Sequence, residues 1–197
     1  MANIEKLREN LERRGFKTSY FETAQEAVDY LDKEIDGVSV GIGGSMTVKA
    51  IGLYDKLKTH NEMHWHWEGG TLEDAALAHT YISSANAVAE TGEIINIDGN
   101  GNRVASLIFK HNKIYIIIGV NKIEPDFDKA LWRARNVAAP KRAQSMNAKT
   151  PCAAKADKCY DCNSPGRICR SLTVLWGKSM MESQDTEVVI INDEFGM

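Results

Sequence analysis

Val38-Ser39-Val40-Gly41-Ile42-Gly43-Gly44-Ser45-Met46-Thr47 is the stretch on which the fold turns. Val38 to Ile42 reads as a short buried strand, and Val48, Ile51 and Leu57 then recur at helical spacing. A strand, a glycine turn and a helix that opens on Ser and Thr leave free backbone N–H groups at the turn, where the helix dipole adds partial positive charge. Gly43, Gly44, Ser45 and Thr47 are therefore candidates for binding a phosphate or carboxylate. The same glycines also serve the geometry of a plain βα turn.

The alternation continues on both sides. Ile4, Leu7 and Leu11 predict an amphipathic helix ending near Gly15, and Phe16 to Phe21 a strand. Thr23 and Glu26 form a capping-box pattern before Ala27, Val28, Leu31 and Ile35, and Gly37 stops that helix. His64-Trp65-His66-Trp67 alternates, so on a strand the histidines face one way and the tryptophans the other. Thr71 and Asp74 cap a helix over Ala75 to Leu77, and Tyr81 to Ile97 reads as two strands meeting around small residues. Asn102 to Phe109 predicts a short helix. Lys113 to Ile118, rich in β-branched residues, predicts a central parallel strand. Gly119 to Ile123 follows at the carboxyl end of that strand, where open α/β sheets place their sites, which adds Gly119 and Asn121 to the candidates. Asp126 opens a long helix that breaks before Pro140, and Lys141 to Ala148 is a second helical piece. Leu172 to Leu175 and Glu187 to Ile191 close the fold as an antiparallel pair at the sheet edge.

All four cysteines, Cys152, Cys159, Cys162 and Cys169, fall within Pro151 to Arg170, in a Cys-x6-Cys-x2-Cys-x6-Cys pattern. Cysteines used as small core hydrophobes would be scattered over helices and strands, whereas these sit among Pro165, Gly166, Asn163 and Asp157. Such spacing suits four thiolates around a metal, as an iron–sulfur cluster, [4Fe-4S] being the form expected, or as a four-cysteine zinc site. Lys149, Lys155, Lys158, Arg167 and Arg170 outnumber Asp157 and Asp161 there, which favours thiolate over thiol and serves either metal. A reversible Cys159/Cys162 redox pair and structural disulfides are the remaining readings. The segment is an insertion at about 150–170 within one domain spanning 1–197, not a domain of its own.

With 197 residues, the chain can bury a proper core as a single domain. A net charge of −3 gives no general attraction to nucleic acid or anionic membranes. The longest apolar run, Ile114 to Val120, is too short to span a bilayer. Met1 to Gly15 is charged from its fifth residue and has no apolar signal region, so a cytoplasmic protein is expected.

Gly43 to Thr47, then Ala85-Asn86-Ala87-Val88-Ala89-Glu90-Thr91-Gly92, then Gly119 to Ile123, then Arg133 to Pro140 resemble, in that order, the blocks of the LUD (lactate-utilisation) domain, formerly a domain of unknown function. The resemblance covers nearly the whole chain. It implies an α/β fold of the NagB/RpiA/CoA-transferase type, with a mainly parallel sheet flanked by helices and, here, a cysteine-rich metal-binding loop near the C-terminus. Some relatives are subunits of iron–sulfur complexes that oxidise L-lactate. The ferredoxin-like motifs of the long subunit in those complexes are absent, and this chain has its own four-cysteine loop instead. The resemblance therefore implies a redox or electron-transfer role, as an oxidoreductase component acting with a partner protein on a small anionic hydroxy or keto acid such as lactate. The alternative is a zinc-stapled binding or CoA-transferase-like protein, in which Glu90, before a glycine turn, is the catalytic carboxylate and the Gly43 to Thr47 turn the binding site. A homodimer is also considered, with the tryptophans as a surface, against their commoner role in a core.

Overall fold

The computed structural model describes residues 2–197. Helix α1 (Ile4–Arg13) and strand β1 (Lys17–Phe21) lead into α2 (Ala24–Glu34), whose capping box forms as expected, with Thr23 and Glu26 each bonding the other's backbone. Strand β2 (Ser39–Ile42) is followed by two one-turn helices, α3 (Met46–Ala50) and α4 (Leu53–Leu57), in place of the single helix expected. Gly52, in the left-handed region at φ +70°, separates them. Then come β3 (Glu62–Trp65), α5 (Leu72–Leu77), β4 (Thr80–Ser83), β5 (Ala87–Ala89), β6 (Ile94–Asp98), α6 (Asn102–Ile108) and β7 (Lys113–Gly119). A 3-10 turn (Val120–Lys122), β8 (Ile123–Glu124), α7 (Phe127–Arg133), a π-helical turn (Ala134–Ala138), α8 (Ala139–Ser145), α9 (Pro151–Lys155), β9 (Ser171–Leu175) and β10 (Asp185–Ile191) complete the chain.

The main sheet has six strands in the order β1-β10-β7-β4-β2-β3, and every pairing in it is parallel. Its inner strands are buried on both faces, while the edge strands β1 and β3 are partly exposed. In β7, Ile114, Ile116 and Ile118 enter one core while Tyr115 and Ile117 enter the other, and Val188 and Ile190 against Val189 and Ile191 divide β10 in the same way. Ala27, Leu31, Val48, Leu53 and Leu57, from α2, α3 and α4, cover one face. Leu7 and Leu11 of α1, Leu107 of α6, and Val88 and Ile94 from a second sheet cover the other. That second sheet runs β8-β5-β6-β9, and its outer side, Ala87, Ala89 and Ile95, packs on Ala130 and Ala134 of the α7 region.

Several expectations change. Strands β9 and β10 are not an antiparallel edge pair: β10 lies inside the main sheet, parallel to β1 and β7, while β9 runs antiparallel to β6 in the second sheet. Tyr81 to Ile97 holds three strands rather than two, divided between the sheets. The long helix does not break at Pro140. The π-turn displaces the hydrogen-bond register before it, and Pro140 sits in the first turn of α8, where its missing N–H leaves no bond unmade. Strand β3 ends at Trp65, so His66 and Trp67 lie beyond it, yet the Trp65 and Trp67 rings pack 5.2 Å apart.

Gly41 is a point of close approach, where a Cβ would lie 2.2 Å from the backbone oxygen of Ala75 in α5. We predict that Gly41→Ala destabilises the protein by at least about 1–3 kcal/mol through overpacking, measured by urea unfolding. Destabilisation no larger than that of an exposed substitution would show that α5 can move off β2.

Candidate functional site

The carboxyl ends of β2, β4 and β7 lie side by side, and the segments that follow them form the floor of a cleft of about 460 Å³. Gly44 and Ser45 follow β2, Ser84 and Ala85 follow β4, and Lys122 comes after β7. The walls are the Asp98 to Arg103 turn, Ala138, Ala139 and Arg142 of the α7–α8 region, and Arg167, Ile168 and Arg170 of the cysteine loop.

Charge in the cleft is strongly one-sided. Its lining includes Arg103, Lys122, Arg142, Arg167 and Arg170 against one acidic side chain, Asp98. Asp98 is already engaged, accepting from the backbone N–H groups of Asn100 and Gly101 and pairing with Arg103 at 3.2 Å. Arg142 stacks over Trp67 at 5.2 Å, and burial, then Arg103, holds its guanidinium below its ordinary value. Burial likewise lowers the imidazole of His66, whose Nδ1 is buried without a hydrogen-bond partner. The uncompensated charge suits an anionic ligand.

Lys122 is the most unusual of these residues. It is 4% exposed, and its Nζ lies 2.8 Å from Thr47 Oγ1, 2.9 Å from Ser84 Oγ and 3.1 Å from Ala85 O. Burial first, then Arg133 and Arg103, pulls its pKa down to about 7. The C-terminal segment passes over it at Gly196, where a Cβ would meet Thr47 Oγ1 at 2.6 Å, so a residue without a side chain is required.

The sequence candidates separate in space. Gly44 and Ser45 line the cleft, Thr47 holds Lys122, and the N–H of Gly43 extends the β2–β4 ladder by donating to Ile82 O. Helix α3 is a single turn capped by the Ser45 side chain, which accepts from Val48 N, so the helix end expected to attract an anion is short and partly satisfied. Asn121 holds the backbone of Phe195, and Gly119 packs beside Asp193, so both serve the C-terminal segment and lie outside the cleft lining. Glu90 is also outside it. Its carboxylate accepts from Asn3 N at 2.8 Å and Lys6 Nζ at 3.1 Å, tying β5 to the start of α1. Trp65 is buried, whereas Trp132 and Trp176 are exposed. Reading the sequence alone missed Lys122, Arg103 and Arg142 as site residues, and placed Arg167 and Arg170 with the thiols but not in a cleft.

The four cysteines are free thiols. Among the described residues, no three His, Cys, Asp or Glu side chains form a group that could hold a metal ion. All four nonetheless border one small void of about 20 Å³, together with Arg135, Ala139, Pro140, Ala143, Thr150, Arg167 and Ile168. Each sulfur has a polar group aimed at it: Thr150 Oγ1 at Cys152 (3.3 Å), the N–H of Asp161 at Cys159 (3.4 Å), Arg167 Nε at Cys169 (3.2 Å), and Ser164 at Cys162, which lowers that thiol's pKa. Asp161 adopts a left-handed conformation, φ 45°, within Cys159-Tyr160-Asp161-Cys162. The four thiols thus border one void with N–H and O–H donors beside them, the chemical kind of donor set that thiolate-ligated groups use, though they are not drawn together tightly enough to form a metal group as they stand.

A parallel sheet covered on both faces, with a basic cleft at its carboxyl ends, defines an α/β protein. The LUD domain family matches residues 4–191, and the chain belongs to it. It is similar in fold to the crystal structure of a DUF162 family protein from Deinococcus radiodurans, with a TM-score of 0.59, 14% identity and 95% of each chain covered. No curated protein matches. No helix is long and apolar enough to cross a membrane among the described residues.

Two predictions follow from this geometry. Because the pKa of Lys122 is about 7 when folded and near 10.5 when unfolded, the unfolded chain holds more protons on this residue between those values. Its contribution to stability therefore rises with pH across that window. In urea unfolding, wild type should gain on Lys122→Met between pH 7 and pH 9; a constant difference would mean that the amine stays charged. Glu90→Gln should cost about 1–2 kcal/mol by weakening its charge-assisted bonds to α1, while anion binding measured by calorimetry is unchanged.

Proposed function

We propose that this LUD protein is a redox component in which Cys152, Cys159, Cys162 and Cys169 hold an iron–sulfur cluster, [4Fe-4S] by its four-thiolate set, beside a cleft that binds a small anionic hydroxy or keto acid such as lactate. The observation that carries this reading is a shared wall: Ala139, Arg167 and Ile168 border both the thiol void and the basic cleft. A group held by the four sulfurs therefore stands one residue's thickness from a ligand in the cleft. Bound there, such a cluster supplies one-electron transfer.

The chain's own residues do the rest. Arg142 and Arg170 attract and orient a carboxylate, and Ser45 and Ser84 offer hydroxyls to a second oxygen. Arg167, through its Nε contact to Cys169 and its NH1 bond to the Cys162 carbonyl at 2.8 Å, favours a more negative, thiolate-bound state of the loop. Oxidising a hydroxy acid to a keto acid releases two electrons and two protons, so the reading requires a partner protein that accepts electrons. Glu90 bonds to α1 outside the cleft lining, which weakens the transferase alternative.

Zinc is the second reading, and one observation favours it: a void of about 20 Å³ suits a single ion, while a cluster needs the loop to open. Against it, one zinc requires all four sulfurs at ~2.3 Å from a common point, a tighter grouping than the cysteines have here. Elemental analysis and a visible spectrum of protein purified without oxygen separate the two. Iron and sulfide at about four per chain, with a broad thiolate-to-iron band, are expected; zinc at one per chain, or no metal, overturns the redox reading. Cys159→Ser should lower metal content sharply and leave the far-ultraviolet circular dichroism nearly unchanged, because the loop lies outside both sheets.

A further inference from the structure

The cleft holds a primary amine for which electron transfer has no use. Lys122 lines the cleft floor but is almost fully buried, and the charged groups that act on it are Arg133 and Arg103, both cations. A buried ammonium without a counterion is costly, so the site favours the neutral amine. Nζ donates to Thr47 Oγ1, Ser84 Oγ and the Ala85 carbonyl, and none of these is a carboxylate. Nucleophile, hydroxyls and carboxylate-binding arginines thus share one cavity, and the one acidic side chain in its lining, Asp98, is occupied by Arg103.

We propose that Lys122 captures the carbonyl of a small 2-oxo acid as a reversible imine, with the acid's carboxylate held by the cleft arginines. The Nζ lone pair adds to the carbonyl carbon, and one N–H proton passes by way of the Ser84 and Thr47 hydroxyls to the carbonyl oxygen, giving a carbinolamine. The second N–H proton follows to the same oxygen, which leaves as water as the C–O bond breaks and C=N forms. No oxidant or reductant is consumed, and hydrolysis reverses the step. The inference rests on reading the cleft as an anionic-metabolite site and is independent of which metal the cysteines hold.

Lysine chemistry supports selectivity. With a pKa of about 7, Lys122 at pH 7 has roughly a thousandfold larger free-amine fraction than a solvated lysine. The test treats the full-length protein, metal included, with pyruvate, glyoxylate or 2-oxoglutarate and cyanoborohydride at pH 7, followed by intact mass and peptide mapping. Binding of each acid without reductant is measured in parallel by equilibrium dialysis. We expect a single reduced-imine adduct per chain, located on Lys122, forming faster as pH rises through about 7 and absent from Lys122→Arg, with circular dichroism reporting the variant's fold. Binding without an adduct on Lys122, or adducts scattered over surface lysines, overturns the imine and leaves the cleft as an anion site. Failure of all three acids to bind overturns the cleft reading and the imine with it.

Discussion

Strand β7 must be covered on both faces, and much of the molecule follows from that. Its successive side chains divide between two cores, so no register of this strand leaves a face in water. A strand of this kind belongs in the middle of a parallel sheet, where crossover connections lay helices or a second sheet over each side. Parallel order sends every strand the same way, so the segments that follow β2, β4 and β7 emerge together. The cleft is a consequence of that arrangement rather than an addition to it. Gly44, Ser84 and Lys122 are distant in sequence and adjacent in space because their strands are neighbours.

Electrostatics then gives that edge its character. In most proteins a buried cation is paired, and here Asp98, the acidic side chain of the cleft lining, goes to Arg103 instead. Lys122 is left with hydroxyl and carbonyl oxygens alone. Near it, the buried Nδ1 of His66 also lacks a partner. Folding does not benefit from either arrangement, since an unpaired buried polar group costs about 1–3 kcal/mol. Their concentration where the strand ends converge is what a site poised for a ligand requires.

Much of this was legible in the sequence, and the omissions have physical causes. The capping box at Thr23 and Glu26, the two-sided burial of β7 and the grouping of the cysteines follow from local pattern, and the structure has all three. The position of β10 does not. Val188 to Ile191 is continuously apolar, the mark of a strand covered on both faces, but its nearness in sequence to β9 suggested a hairpin, because consecutive strands usually pair. The bonds from Glu90 to the start of α1 carry no signal in the step before Gly92, because the residues that make them are more than 80 positions away. The cleft cations were missed for a different reason. A lysine or arginine on a connecting segment carries no periodicity, and only the packing of distant elements determines whether it meets water or a buried cavity. For Lys122 the one available signal was its place directly after a buried central strand.

Arg167 joins the two halves of the candidate site. Its guanidinium is committed to the cysteine loop, with Nε on Cys169 and NH1 on the Cys162 carbonyl, yet the residue also forms part of the cleft wall with Ile168 and Arg170. The loop is short, and Arg170 N is fixed to Asp98 O at 2.8 Å, beside the Asp98 carboxylate that holds Arg103. A change in the charge or spacing of the four sulfurs therefore acts on the cleft through backbone and guanidinium contacts, without a separate relay. By the same contacts, an anion drawn to Arg170 acts on the loop that carries the cysteines. Any coupling between the two would be reciprocal, as linkage requires. Through Arg167, Ile168 and Arg170 the cysteine insertion forms part of the cleft wall.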